Sequence, residues 1–393
     1  MLRLRLRSQM LLAALLAATL WPTPGAPQPP ERFCLICGSL GGVDFVANVV
    51  LFLPLGAFLV LDGNGWRRAA LAGAALSLGI ELLQWQAIPG RDASMGDLLA
   101  NSLGAGMGAA LALHRRSLWA PPQALARSLT LATSAGAVVV ALVASWALRP
   151  AVPDLVYSSQ WTPVRGGYAP LAGTLRGVRL FGERLPNAVA VDPTNRPAPY
   201  ARGEIDLTGE LADPDISLTS PVLLFRLGNI LGEQAQLVQR GSTLVFRPRL
   251  NAARAGFRSP SFVLDRAWGP AVATPFRVTS VRGTVRMMAR TQREFRVTIG
   301  RAWQVLSVFE IHRAGADPWM AALLVVLLVA PPAFYARHAR LPAGLPLGVA
   351  LLVLVACPLG LGIAAGGTWE VAGGVLGLLG GRLLALQPGR RGA

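Results

Sequence analysis

The sequence predicts a polytopic α-helical membrane protein of about eight transmembrane helices, interrupted by an antiparallel, jelly-roll-like β-sandwich outside the cytoplasm. Three observations predict it. The 393 residues are 53% hydrophobic and only 15% charged, where a soluble globular chain carries roughly 25% charged residues. The hydrophobicity falls into runs, most of them near the length of a bilayer span, about 17–25 residues. Between the fifth and sixth runs lies a long segment rich in Gly and Pro, with short stretches of alternating polarity.

The first run, 9–22, follows Arg3, Arg5 and Arg7. A basic start before a short apolar core reads as a signal peptide or a retained anchor over 1–24, and the retained anchor is the expectation. Either way Pro24 onward is delivered outside. Runs at 43–61, 69–88, 97–113 and 128–148 predict a four-helix membrane domain within 25–148. Runs at 319–336, 343–364 and 369–386 predict three helices within 318–393.

Arginine orients these runs. The net charge is +17 and no lysine contributes to it. A strongly basic chain suggests nucleic acid, but here the basic residues flank apolar runs or lie in the middle segment, and no nucleic-acid partner is expected. Arg3, Arg5, Arg7, Arg67, Arg68, Arg115, Arg116, Arg127, Arg337, Arg340, Arg382, Arg390 and Arg391 fall on one side of the alternating runs, with Asp62 as the single acid. The short segments on the other side hold only Arg32 and Arg91. Positive charge stays in the cytoplasm, so 149–317 is placed outside a bacterial cytoplasmic (inner) membrane. Trp21, Trp66, Trp85, Trp119, Trp146, Trp319 and Trp369 lie at or near predicted span ends, where an amphipathic ring prefers the interface.

The 149–317 segment holds 22 arginines and 13 acids. Ile205, Leu207 and Leu211 alternate with Glu204, Asp206 and Glu210. Leu244 and Phe246 alternate with Val245, Arg247 and Arg249, after a turn at Arg240-Gly241-Ser242. Phe295, Val297 and Ile299 repeat the pattern. Period two with turn signals argues for an antiparallel sandwich. Asp213 and Asp215 read as turn residues. The surplus arginine is either one patch or a scattered, solvated surface.

Chemistry, if present, lies in 44–101. Polar residues inside spans are costly and face a bundle interior or a wet cavity. Asp44 and Asn48 are four apart, Ser77, Glu81 and Gln84 follow at four and three, and Asp97 and Asn101 are four apart. Such spacings share a helix face. With the predicted orientation, Asp44, Asn48, Glu81, Gln84, Asp97 and Asn101 converge near the outer leaflet beside the loop that carries Arg91. Two readings stay open: a polar knot pinning three helices, or a pocket for a headgroup, ion or substrate.

Cys34-Leu35-Ile36-Cys37 lies on the oxidising side and is read as a resting disulfide or a structural turn; Cys357 lies in an apolar run. No metal or cofactor is expected. No GxSxG elbow, Walker loop or HExxH motif is present, which leans against an enzyme.

Asp44-Phe45-Val46-Ala47-Asn48, Phe52-Leu53-Pro54-Leu55-Gly56, Ile80-Glu81-Leu82-Leu83-Gln84, Arg91-Asp92-Ala93-Ser94 and Asp97-Leu98-Leu99-Ala100-Asn101, closing on Gly104 and Gly108, resemble the VanZ-like membrane family in order and spacing. The family is named for a protein linked to low-level teicoplanin resistance, and its biochemical activity is not established in general. The resemblance implies a membrane architecture, an envelope location and a link to glycopeptide antibiotic resistance. Gln236-Leu237-Val238-Gln239-Arg240-Gly241-Ser242-Thr243-Leu244-Val245-Phe246-Arg247 is similar to concanavalin/laminin-G-like domains, which often bind glycans or proteins. The expected partners are membrane lipid, a glycan or lipid-linked cell-wall precursor, and an envelope protein. An enzyme acting on a lipid-linked substrate and a structural scaffold stand as alternatives.

Overall fold

The computed structural model describes residues 4–20, 38, 40–87, 94–229, 232–270, 272–307 and 317–386. Arg91, Cys34 and Cys37 lie outside the described residues.

Every predicted apolar run contains a helix: α1 (Leu6–Leu20), α2 (Gly41–Leu61), α3 (Trp66–Ala87), α4 (Met95–Leu113), α5 (Gln123–Ala147), α6 (Asp317–His338), α7 (Gly344–Gly360) and α8 (Thr368–Leu384). The expectation of eight transmembrane helices is not supported. Among the described residues, three helices are long and apolar enough to cross a membrane: Gly41–Leu61, Gln123–Ala147 and Pro318–His338. The reasons are length and polarity. At about 1.5 Å per residue, the 15 residues of α1 span roughly 22 Å, short of a hydrocarbon core of about 30 Å. Helix α3 opens on Arg67 and Arg68 and carries Glu81, Gln84 and Gln86. Helix α4 carries Asp97, Asn101 and Ser102 among its glycines. Helix α8 has 17 residues and includes Glu370 and Arg382.

Helices α2 and α4 run parallel along a glycine seam. A Cβ at Gly56 would land on the Ala105 carbonyl oxygen, at Gly104 on that of Val49, and at Gly108 on that of Leu53. Small residues allow backbones to approach this closely. Phe52, Leu55, Leu59, Ala69, Ile80, Ala105 and Ala109 fill the space around the seam, and α1 adds Leu15.

Asp62, just past the end of α2, fastens α1. It is 3% exposed. Its Oδ1 accepts from Arg7 Nε at 3.0 Å and Nη2 at 2.9 Å, and its Oδ2 accepts from the Arg5 backbone N–H at 2.9 Å and from the Ser8 hydroxyl. Burial alone raises a carboxyl pKa, but the Ser8, Arg5 and Arg7 donors outweigh it and hold Asp62 below its ordinary 3.8. A depressed folded-state pKa contributes stability above the unfolded value and loses it as pH falls through the folded value. Acidification below about pH 4 is therefore expected to loosen α1. Asp62→Asn should be less stable at pH 7 and should show a flatter stability between pH 5 and pH 2, read by thermal unfolding of the detergent-solubilised chain.

Helix α7 contains a π turn at Leu352–Ala356, followed by Pro358. Proline cannot donate to the carbonyl four residues back, and the Leu354 oxygen accepts instead from Gly366 N–H at 2.8 Å. Glycines of α8 face α6: a Cβ at Gly373 would meet the Ala322 carbonyl, and at Gly381 that of Ala330.

The middle segment forms two six-stranded, all-antiparallel sheets. The strands are β1 (Tyr157–Trp161), β2 (Thr174–Leu180), β3 (Glu183–Arg184), β4 (Ala190–Val191), β5 (Ile205–Ala212), β6 (Val222–Gly228), β7 (Glu233–Arg240), β8 (Thr243–Pro248), β9 (Phe262–Leu264), β10 (Thr274–Val281), β11 (Thr284–Met288) and β12 (Gln292–Arg296). One sheet has the order β4-β1-β6-β7-β8-β9, the other β12-β11-β10-β5-β2-β3. Tyr157, Tyr200, Phe225, Phe246, Phe262 and Trp268 are buried in the common core. The turn expected at Arg240-Gly241-Ser242 joins β7 to β8, where Arg240 pairs with Thr243.

The sandwich is joined to the helix ends. The first turn of a helix leaves N–H groups without intrahelical acceptors; in α2, the Gly42 and Val43 N–H groups donate to Gly256 O at 3.0 and 3.2 Å. Asn251 donates through Nδ2 to Trp146 O at the end of α5, at 3.2 Å. Ala364 N–H, after α7, donates to Val297 O at 3.0 Å. At the start of α8, buried Glu370 accepts from the Thr298 hydroxyl.

Candidate functional site

The polar residues of α2, α3 and α4 meet where α4 begins. Ser94 caps α4: its Oγ accepts from Asp97 N–H at 3.2 Å. The Ser94 backbone N–H donates to Glu81 Oε2 at 2.8 Å, which holds the start of α4 against α3. Asn48 Nδ2 donates to Asp97 Oδ1 at 2.8 Å, joining α2 to α4. Asn101 Nδ2, one turn deeper, donates to Ser77 Oγ at 3.0 Å.

Three of the expected residues share one network through Ser94: Asn48, Glu81 and Asp97; Asn101 forms a separate pair with Ser77. Gln84 does not join it. It turns the other way and donates to Thr19 O on α1 at 2.8 Å. Asp44 stands exposed one turn before Asn48. Arg91 lies outside the described residues, so its expected role as the cationic partner rests on its position in the sequence.

Burial grades across the cluster. Ser77, Glu81, Gln84 and Asn101 are buried; Asn48 and Asp97 are half-buried, and Asp44 is exposed. Both levels are tied across helices, and the outer members also form an accessible edge. Asn101 Oδ1 is buried and has no hydrogen-bond partner among the described residues. A carboxylate in the first turn of a helix is favoured by the helix dipole, and Asp97 occupies that turn of α4.

The chemistry available is hydrogen bonding by carboxylate, amide and hydroxyl groups, which suits a polar headgroup or sugar at the edge. Among the described residues, no group of three or more His, Cys, Asp or Glu side chains is placed to hold a metal. Two polar junctions escaped the sequence reading. Asp62 with Ser8 and Arg7 was visible only as an isolated acid after an apolar run. Glu370 with Thr298 had a clearer signal, since an acid inside an apolar run asks for a partner.

The accessible edge and the β-sandwich lie at the same end of α2, because Gly42 and Val43 bond the sandwich two residues and one residue before Asp44. No curated protein and no solved structure matches the chain. Residues 10–118, which include every member of the polar cluster, match the VanZ/LLP1 family model.

Proposed function

We propose that this chain is a multi-pass, VanZ-like protein of the bacterial cytoplasmic membrane that binds a cell-wall glycan or its lipid-linked precursor at the outer face. Residues 149–317 lie outside the cytoplasm in this reading, the sandwich is concanavalin/laminin-G-like, and Asp44, Asn48, Asp97 and Arg91 contact the ligand's polar group. Arginine is suited to bidentate contact with phosphate. The observation that carries the reading is the common end: the edge of the polar cluster and the sandwich meet at the first turn of α2. The arginine bias, with Asp62 and Arg7 at the opposite end of α2, supports the orientation. A link to glycopeptide resistance follows if the ligand is a cell-wall precursor.

A second reading, a structural knot, is favoured by the interhelical bonds Asn48–Asp97 and Asn101–Ser77. Native mass spectrometry of protein extracted gently from its own membranes separates the two. Binding predicts a lipid-linked species retained by wild type and reduced about tenfold or more (about 1.4 kcal/mol) in both Asp97→Ala and Arg91→Ala. Equal retained mass with lowered thermal stability in Asp97→Ala would establish the knot.

A further inference from the structure

A second polar site lies outside residues 10–118, in the seam between the sandwich and the C-terminal helices. It is a cleft of about 580 Å³ whose lining includes Arg258, Arg293, Arg296 and Arg301, with Asp265 and Glu370 as its carboxylates. Among the described residues the lining holds four arginines and two carboxylates. Glu370 is already engaged: one oxygen accepts from the Thr298 hydroxyl and the other from Gly367 N–H at 3.0 Å. Neither bond is to an arginine, so its charge stays in the lining and offsets the arginines only at a distance.

Arg293 and Arg296 are held by contacts that leave their charge in place. Arg293 stacks on Phe295, 4.9 Å from the ring centroid, and Arg301 lies 5.0 Å from Phe262 and 5.8 Å from Phe295. The two rings pack edge-on, 5.6 Å apart. Arg296 donates to Ala365 O at 3.4 Å. Neither Arg293 nor Arg296 forms an ion pair with a carboxylate among the described residues. Stacking on an aromatic face orients a guanidinium and lets its N–H groups point elsewhere.

The height of the cleft indicates what occupies it. Trp369 lines the cleft and packs against Trp319 with centroids 4.9 Å apart. Both stand at the first turns of α8 and α6, and α6 is one of the membrane-length helices. Tryptophan settles at the level of lipid headgroups. A cationic cleft with an aromatic floor at that level is complementary to a phosphate on an amphiphile.

We infer that this cleft binds the phosphate of an anionic phospholipid headgroup, with Arg293 and Arg296 as principal contacts. The site shares no residue with the polar cluster of α2–α4, so it stands or falls separately from the function proposed above. Free inorganic phosphate offers the same group without acyl chains, and the test must tell them apart.

The test is native mass spectrometry of the full chain in detergent, titrated with phosphatidylglycerol or phosphatidylcholine of identical acyl chains. Wild type should retain phosphatidylglycerol at least about tenfold better. The Arg293→Ala/Arg296→Ala variant should lose most of that preference, since each arginine near an anionic surface contributes roughly a fivefold factor. Arg293 and Arg296 are exposed on the edge strand β12, so the double variant should fold, as its thermal unfolding would show. Arg176→Ala/Arg179→Ala, on β2 near the other edge of the same sheet, removes the same charge and should leave the preference intact. Equal loss in both variants, or no loss in the first, would overturn the inference. Millimolar inorganic phosphate should leave the lipid bound; displacement by phosphate alone would overturn the lipid assignment.

Discussion

Gly108→Ala is expected to disrupt the packing of α2 on α4, while Gly106→Ala, two residues earlier in the same helix, is expected to be harmless. A Cβ at Gly108 would land on the Leu53 carbonyl oxygen and close to the Leu53 carbonyl carbon and the Ala57 nitrogen. All three are backbone atoms of α2, so no rotamer change relieves the overlap. Overpacking a tight interior costs about 1–3 kcal/mol and sometimes more, and here the whole helix must move. Once α4 shifts, Gly104 against Val49 and Ala105 against Gly56 lose their fit as well. The loss should therefore be at or above about 3 kcal/mol, seen as a large drop in midpoint temperature or in recovery of monodisperse protein.

At Gly106 nothing lies within 4 Å of an added Cβ. Replacing glycine by alanine within a helix then gains about 0.5–1 kcal/mol. The pair shares helix, depth and chemistry of change, and differs only in what the new methyl meets. Equal behaviour of the two variants would show that α2 and α4 do not share this seam. A shift of the seam would also pull Asn48 from Asp97, whose 2.8 Å bond depends on the same parallel register. The candidate site and the glycine seam are thus one mechanical unit.

That unit was partly legible in the sequence. Spacings of three and four placed Asn48 with Asp44, Glu81 with Ser77, and Asp97 with Asn101 on shared helix faces. What spacing cannot give is the partner. Gln84 fits the same stripe as Glu81, yet it reaches Thr19 on α1, because a residue three positions on is rotated by about 300° and advanced by about 4.5 Å. The sandwich shows a similar divide. Strand β10 buries alternate residues, so period two was readable, whereas every residue of β6 is buried. Leu223, Val238 and Val245 on the second face of that sheet pack with Tyr168 and Val263. A strand covered on both sides carries no alternation to read. The expectation of eight membrane spans is not supported for a related reason. Apolar content marks a helix as buried somewhere, and only length with low polarity marks it as spanning.

The junction between sandwich and C-terminal helices should depend on one side chain that the apolar pattern concealed. Glu370 is buried, accepts from Thr298 Oγ and from Gly367 N–H, and lies against Gly300, where an added Cβ would collide with its Oε1. Glu370→Ala leaves two donors without this acceptor. A buried polar group stripped of its partner costs about 1–3 kcal/mol, so a loss of about 2 kcal/mol or more is expected in thermal unfolding of the full chain. Glu370→Gln keeps an acceptor oxygen and should lose less. Thr298→Val removes the other partner, and the cycle formed with Glu370→Ala isolates their coupling, expected at about 0.5–3 kcal/mol for groups in direct contact. If the double variant were simply additive, Thr298 and Glu370 would not be holding the two parts together. Glu370 also borders the arginine cleft, so Glu370→Gln serves a second purpose. It removes one negative charge from the lining with little change in shape, and phosphatidylglycerol retention should rise if the cleft reads anionic charge. A fall in stability with a rise in lipid retention, in the same variant, is an outcome that a purely structural role for the carboxylate does not produce.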